Sequence, residues 1–427
     1  MRLPRDTASK AVHRIDADVV IPGRDRPFLW GSIVIKDKKI AWIGYRNAIP
    51  EEYKHLEHRH ATVVMPGLWD CHVHFYGAQK MSIDAFYQTS QALAGARGAH
   101  DVHATLNAGF TTVREVGGYG VELSQAIEEG TLVGPHIYSA VSPISITGGH
   151  GDAHSTPLDA LNDAIRHGLP LHLCDGEDEC LKAVRLQIRR GAKLIKVCAS
   201  GGVTSLIDDP QNQQFSNVEL AAMVAEAERS DRIVAAHCHG KKGIMAALRA
   251  GCKTIEHGSY LDEEAIDAMI ESGAMLIATR TIIEGGLKLR DTWSPESYEK
   301  LQKMAAQHKK AYKMAVAAGV KIALGTDLGL GGVNPNKESQ ILGHGNNGRE
   351  LGYAVEAGMT PLQAIECATA NAPETLGPQA PLSGQLKAGY DADLIGLSEN
   401  PLHNIDVFAN PETITHVWKG GKLFKSL

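Results

Sequence analysis

Eight short apolar runs, each followed by a helical or irregular stretch, constrain this chain more than anything else in it. They fall at residues 63–70, 111–115, 136–140, 194–198, 233–237, 254–256, 274–278 and 321–324. The stretches between them carry helix signals. Ser216 and Glu219 form a capping box ahead of LAAMVAEAERS, and Thr360, Pro361 and Gln363 form a second. Asp262 can cap EEAIDAMIES, and the periodic segment 295–319 stops at Gly319. Strand–helix alternation of this kind predicts an α/β fold, a (β/α)8 TIM barrel. The rival is a doubly wound open sheet, which would carry a glycine-rich phosphate turn after its first strand. Here that strand is followed by WDCHVHFYG.

The two ends read differently. DADVVIPG, LWGSIVIKDKKIAWIG and ATVVMPG near the start, and DADLIGLSEN and ITHVWKGGKLF near the finish, are rich in β-branched residues broken by Gly and Pro. We expect residues 1–65 and 376–427 to pair into one small β-sandwich domain, with residues 66–375 forming the barrel.

Charge and composition narrow the function. Lys and Arg number 43 against 49 Asp and Glu, a net charge of −6. No basic face is implied, so a nucleic-acid partner is not expected. No apolar run reaches the roughly 18–20 residues of a membrane helix, so no membrane partner is expected either. The segment MRLPRDTASKAVHRIDADVV lacks the apolar core of a signal peptide. Seven scattered cysteines read as free thiols, Cys174 and Cys180 included, and a cytoplasmic location is the expectation. Histidine, with 20 copies, is the informative residue.

His72 and His74 form an H-x-H at the end of the first run, and alternation turns both imidazoles to one side. Lys196 sits inside an apolar strand, where an ammonium is costly to bury. Such an amine must pair, lose its proton or be modified; the neutral form can take up CO2 as a carbamate and become a carboxylate. The fifth run ends in His237, with His239 two residues on, the sixth in His257, and the eighth in Gly325-Thr326-Asp327. Each alone is an ordinary polar residue at a strand end. Together, His72, His74, Lys196, His237, His257 and Asp327 fall at the C-terminal ends of strands 1, 4, 5, 6 and 8, which meet at one mouth of a barrel. Four imidazoles, a carboxylate and a potential carbamate suit two Zn²⁺ ions at short range. Arg280, after the seventh run, is a possible fork for a substrate carboxylate. His239 shares the face of His237 and can support it or contact substrate.

PGLWDCHVH, the lone strand-four lysine, one histidine after each of strands five and six, and GTD after strand eight resemble the amidohydrolase superfamily. LQIRRGAKLIKVCASGGV, AHCHGKKGIMAALRAGCKTIEH, TANAPETLGPQAPLSGQL and THVWKGGKLFK extend the resemblance to its dipeptidase and carboxypeptidase branch. The resemblance implies that His72, His74 and Asp327 hold one zinc, and His237 and His257 the other. It implies that carboxylated Lys196 and a hydroxide bridge them. Asp327 then moves a proton from water to the departing amine. It also implies that His150 and Tyr260 meet a substrate α-carboxylate, and that the protein is a homo-oligomer. The segment 334–349 would form a loop near the mouth that bears on substrate choice.

The substrate expected is a small amide or dipeptide with a free carboxylate. Candidates are N-acyl or N-aminoacyl amino acids, ochratoxin A, or Xaa-Pro and Xaa-Arg/Lys dipeptides. A cyclic-amide hydrolase would use the same metals. Deaminases of the superfamily resemble one-metal sites with a Glu shortly after the fifth-strand histidine; here Gly240-Lys241 follows, and Lys196 is present. A scaffold without activity would have lost ligands, and none is missing.

Overall fold

The computed structural model describes residues 12–80, 82–330 and 339–427. Residues 1–11, and residues 334–338 of the expected mouth loop, lie outside them. Among the described residues no helix is long and apolar enough to cross a membrane.

The sequence near both ends builds one seven-stranded sheet. In spatial order its strands are Lys422–Ser426, Ile414–Lys419, Leu394–Leu397, His58–Pro66, His13–Val20, Phe28–Lys36 and Lys39–Tyr45. Leu394–Leu397 pairs antiparallel with His58–Pro66, and that strand runs parallel to His13–Val20, so the two ends of the chain meet in the middle of the sheet. Alternate residues point to opposite faces of a strand. Ile15, Ile33, Ile35, Val64, Leu394 and Trp418 thereby gather into a separate apolar core.

His58–Pro66 delivers the chain to the barrel. The apolar run at 63–70 is therefore two strands, split at Gly67. A side chain there would drive into Thr111, 2.1 Å from an ideal Cβ, so the break requires glycine. The first barrel strand is Leu68–Ala78 and the second is Phe110–Glu115. The third is interrupted: His136–Ser139 and Pro143–Ser145 flank Val141, whose φ is 71°. Ile195–Cys198, Val234–Cys238, Thr254–His257 and Met275–Ile277 follow as strands four to seven, all parallel.

The eighth run is not a regular strand. Residues 321–327 close the barrel through single backbone contacts. Leu276 N–H donates to the Lys321 carbonyl (2.9 Å), Cys71 N–H to that of Leu324 (2.8 Å), and Asp327 N–H to that of His72 (2.7 Å). Gly325 permits this approach, since a Cβ there would lie 2.8 Å from His72 Cβ. On the other side, the Lys193 N–H donates to the Ser139 carbonyl (2.8 Å) and joins strands three and four.

The helices start where the caps indicate. Ser216 and Glu219 make a reciprocal capping box, as do Thr360 and Gln363 with Pro361 between them. Asp262 accepts from the Ala265 N–H, and Pro295–Ala318 ends on Gly319 at φ 79°. Their apolar faces pack on the barrel in a core that includes Ile195, Val197, Met223, Val234, Ile255 and Ile365.

Candidate metal centre

Strand register lines up the polar residues at the mouth. Cys198 pairs with His237 and Cys238 with His257, so the ends of strands four, five and six stand side by side. Two groups of donors result. In the first, His72, His74 and Asp327 each offer an atom within 4.8 Å of the others. Asp327 Oδ1 lies 3.5 Å from His72 Nε2 and 3.2 Å from His74 Nε2. In the second, His237, His239 and His257 do the same with three buried imidazoles. The rings of His72 and His257, 4.9 Å apart, are where the groups touch.

Each ring is held from behind by one nitrogen. His72 Nδ1 donates to Glu256 Oε2 (2.6 Å), His74 Nδ1 to the Gly117 carbonyl (2.8 Å) and His237 Nε2 to the Gly201 carbonyl (3.1 Å). His257 Nδ1 bonds Thr279 Oγ1 and His239 Nδ1 bonds Ser259 Oγ, both at 2.7 Å. The opposite nitrogens of His72 and His74 face Asp327, those of His237, His239 and His257 have no hydrogen-bond partner among the described residues, and such holding from behind is what orients metal-bound histidines. Burial also favours the neutral form of His72, His237, His239 and His257. Desolvation pushes His72 down to about 4 and His239 to about 3, and holds His237 and His257 well below the ordinary range. Burial works against the charge on Asp327, but His72, His74 and Lys196 outweigh it and lower its pKa.

Lys196 is 3% exposed and makes no hydrogen bond or ion pair with any described residue. Desolvation lowers its pKa, and its charge is felt by His72, His237, His257 and Asp327, so it reaches both groups. Neutral imidazoles with a free nitrogen, one carboxylate and an unpaired buried amine are a donor set that fits borderline divalent cations.

The donors floor a cleft of about 1000 Å³, its open mouth included. Its walls are apolar, with Tyr76, Phe86, Ile283, Trp293, Leu301 and Met304 prominent. Among the described lining residues Asp327 is the only acid. His150 lines the cleft and stacks on His237 with ring centroids 4.2 Å apart. Its Nδ1 bonds Ser205 Oγ (3.0 Å), and that hydroxyl donates to Asp208. Asp208 also accepts from the Gly202 N–H and from Lys300, which clamps this loop from the helix Pro295–Ala318. His239 lines the cleft as well, and joins the second donor group more closely than a supporting role requires.

Two expected substrate contacts do not line the described cleft. Arg280 does not line the cleft. It opens the helix Arg280–Lys288 and is turned outward, with Nε on Glu284 (3.0 Å), one turn along, and Nη1 on the Ala305 carbonyl (2.7 Å) and near His308. Tyr260 does not line the cleft directly but packs on the cluster of Trp293 and Leu301, which do.

The residues missed from sequence are Arg114 and Glu256, both fully buried in the barrel interior. Arg114 donates to both oxygens of Glu256 (2.7 and 2.8 Å) and through Nε to the Cys71 carbonyl (2.6 Å). The available signal was an arginine inside the strand FTTVRE and a glutamate beside His257.

A barrel whose mouth gathers these donors belongs to the metal-dependent hydrolase type of fold. The model of the amidohydrolase family matches residues 63–424, and the chain belongs to that family. It is a hydrolase acting on amide-type C–N bonds. It is 48% identical over 426 residues to ochratoxinase of Aspergillus niger, covering 96% of this chain and 86% of that protein. The crystal structure of the A. niger ochratoxinase superposes with a TM-score of 0.89 at 47% identity, over 97% of this chain and 96% of that one. A Xaa-Pro dipeptidase with methionine bound in its active site gives 0.83 at 31% identity, over 97% and 100%. A prolidase complexed with N-methylphosphonate-L-proline gives 0.88 at 30%, over 98% and 100%.

Proposed function

We propose that the protein is a binuclear zinc amidohydrolase that releases an amino acid with a free carboxylate from an N-acyl or N-aminoacyl partner, ochratoxin A included. The observation that carries this is the pairing of two donor groups across one unpaired buried lysine at the floor of a single cleft. His72, His74 and Asp327 hold one cation and His237 and His257 the other. Lys196, its amine favoured in the neutral form by burial, would add to CO2 with loss of a proton, and the resulting carbamate would offer oxygen donors beside both groups. The cations supply Lewis-acid polarisation of the amide carbonyl and a hydroxide nucleophile near neutral pH.

The chain's own groups do the rest. Asp327 takes a proton from the attacking water and hands it to the amine as the C–N bond breaks. His150 and His239, with Nδ1 held by Ser205 and Ser259, turn their other nitrogens to the substrate carboxylate. The apolar walls exclude water and take an aryl acyl group or an apolar side chain. Among the described wall residues there is no second carboxylate, which disfavours Xaa-Arg and Xaa-Lys dipeptides. The similarity to prolidases supports Xaa-Pro dipeptides as the second reading.

The test is a panel of specificity constants for N-acyl amino acids, Xaa-Pro, Xaa-Phe and Xaa-Arg dipeptides and ochratoxin A, before and after chelation. Aryl-acyl and Xaa-Phe substrates are expected to lead, with activity lost to chelator and regained with zinc. Chelator-resistant activity, or a clear preference for Xaa-Arg, would overturn the reading.

A further inference from the structure

The interior of this barrel carries an ion pair where aliphatic layers are usual. Arg114, on the second strand, spans the barrel to Glu256 on the sixth, and both are fully buried. Thr254 Oγ1 donates to Glu256 Oε1 (2.5 Å) and accepts from Arg114 Nη1 (3.0 Å). Arg114 Nη1 also reaches the Thr375 carbonyl (3.4 Å). So the carboxylate is fixed by four contacts with strands one, two and six: the two arginine bonds, the threonine bond and the bond from His72 Nδ1. A buried pair of this kind is a poor source of net stability compared with packed apolar side chains.

Its position is more informative than its strength. Glu256 directly precedes His257, a member of the second donor group, and grips His72, a member of the first. Arg114 Nε holds the carbonyl of Cys71, next to His72 in the chain. One carboxylate thus connects the backbone of one group to an imidazole of the other, at the point where the rings of His72 and His257 meet.

We propose that Glu256 and Arg114 are positioning residues that fix His72 relative to His257 and so set the spacing of the two cation sites. The assignment rests on the binuclear reading above. It differs from a general packing role in one respect: loss of Glu256 frees an imidazole of the first group only. His237 and His257 keep their own partners, Gly201 and Thr279. The first cation is therefore released before the second.

The test is metal retention, read by elemental analysis after dialysis against graded chelator. Wild type is expected to lose its two equivalents together at the higher chelator concentrations. Glu256→Gln keeps the reach of the side chain but not its charge. It is expected to give up one equivalent at a chelator concentration about ten- to hundred-fold lower and to keep the other. Should Glu256→Gln fold poorly because it strands the Arg114 cation, the double variant R114M/E256Q leaves no unpaired charge and is expected to show the same one-equivalent loss. Retention of both equivalents at wild-type chelator concentrations, or parallel loss of both, would overturn the proposal. A wild type that never binds two equivalents would overturn the binuclear reading instead. In that case an unchanged chelator midpoint in the variant would still refute the positioning role.

Discussion

The seven-stranded sheet and the barrel mouth are both assembled from segments far apart in the chain, and they use burial in opposite ways. In the sheet the buried set is Ile15, Ile33, Ile35, Val64, Leu394 and Trp418. Removing such surface from water stabilises by roughly 25 cal/mol per Å². At the mouth the buried set is His72, Lys196, His237, His239 and His257, none more than 5% exposed. Burying such groups costs stability unless they are paired. Backbone strain is found in both regions: Trp30 and Asp37, in a sheet strand and the hairpin after it, each have φ of 57°. Val141, His257, Thr279 and Asp327, at the barrel's strand ends, have φ of 71°, 72°, 55° and 60°. Non-glycine residues in that region cost of order 1–3 kcal/mol each. The mouth is an arrangement the rest of the fold must hold in place.

The contrast breaks if a mouth substitution acts mainly on stability, or a sheet substitution mainly on turnover. The largest effect is expected from Asp327→Asn. It should lower kcat by about a thousand-fold, with bound metal and thermal midpoint retained, because proton transfer is lost while the carbonyl ligand remains. Steady-state kinetics beside elemental analysis and calorimetry check this. Trp418→Ala is the converse. It should cost about 3–5 kcal/mol of unfolding free energy in denaturant titrations while kcat of the folded fraction is kept.

Ser205→Ala sharpens the comparison within the mouth. It removes the link between His150 and Asp208 but leaves Lys300 on the loop carbonyls. We expect KM for a carboxylate substrate to rise by about ten-fold, the worth of one hydrogen bond to a charged group, with little change for the matching carboxamide. Arg280→Met should do least to catalysis. Its guanidinium belongs to Glu284 and the Ala305 carbonyl, so KM for the same substrate should move by less than about two-fold.

These residues also show what is legible in a chain like this. Alternation places His72 and His74 on one side of a strand, and the repeated strand–helix pattern sends five strand ends to one mouth. The barrel follows from that pattern; for the strand-rich ends a β-sandwich was expected, and the strands there form one seven-stranded sheet. Arg114 and Glu256 were not legible as a pair, because strands two and six meet only across the closed barrel. That Arg280 lies off the described cleft was not legible, because its direction depends on the helix Pro295–Ala318, which supplies the Ala305 carbonyl and His308. Tyr260 stands one layer behind the cleft wall, packed on the cluster of Trp293 and Leu301 that forms it. The irregular eighth segment looked like a strand because its residues are apolar. They are buried by closure of the barrel rather than by a ladder.

The account stands on two cations held at the mouth with a modified lysine between them. Anomalous diffraction at the zinc edge, on crystals grown with zinc and bicarbonate, tests this most directly. The expected result is two peaks about 3.5–4 Å apart, one at His72, His74 and Asp327 and one at His237 and His257, with carbamate density beyond Lys196 Nζ. A single peak, or none, beside an unmodified Lys196 would contradict it.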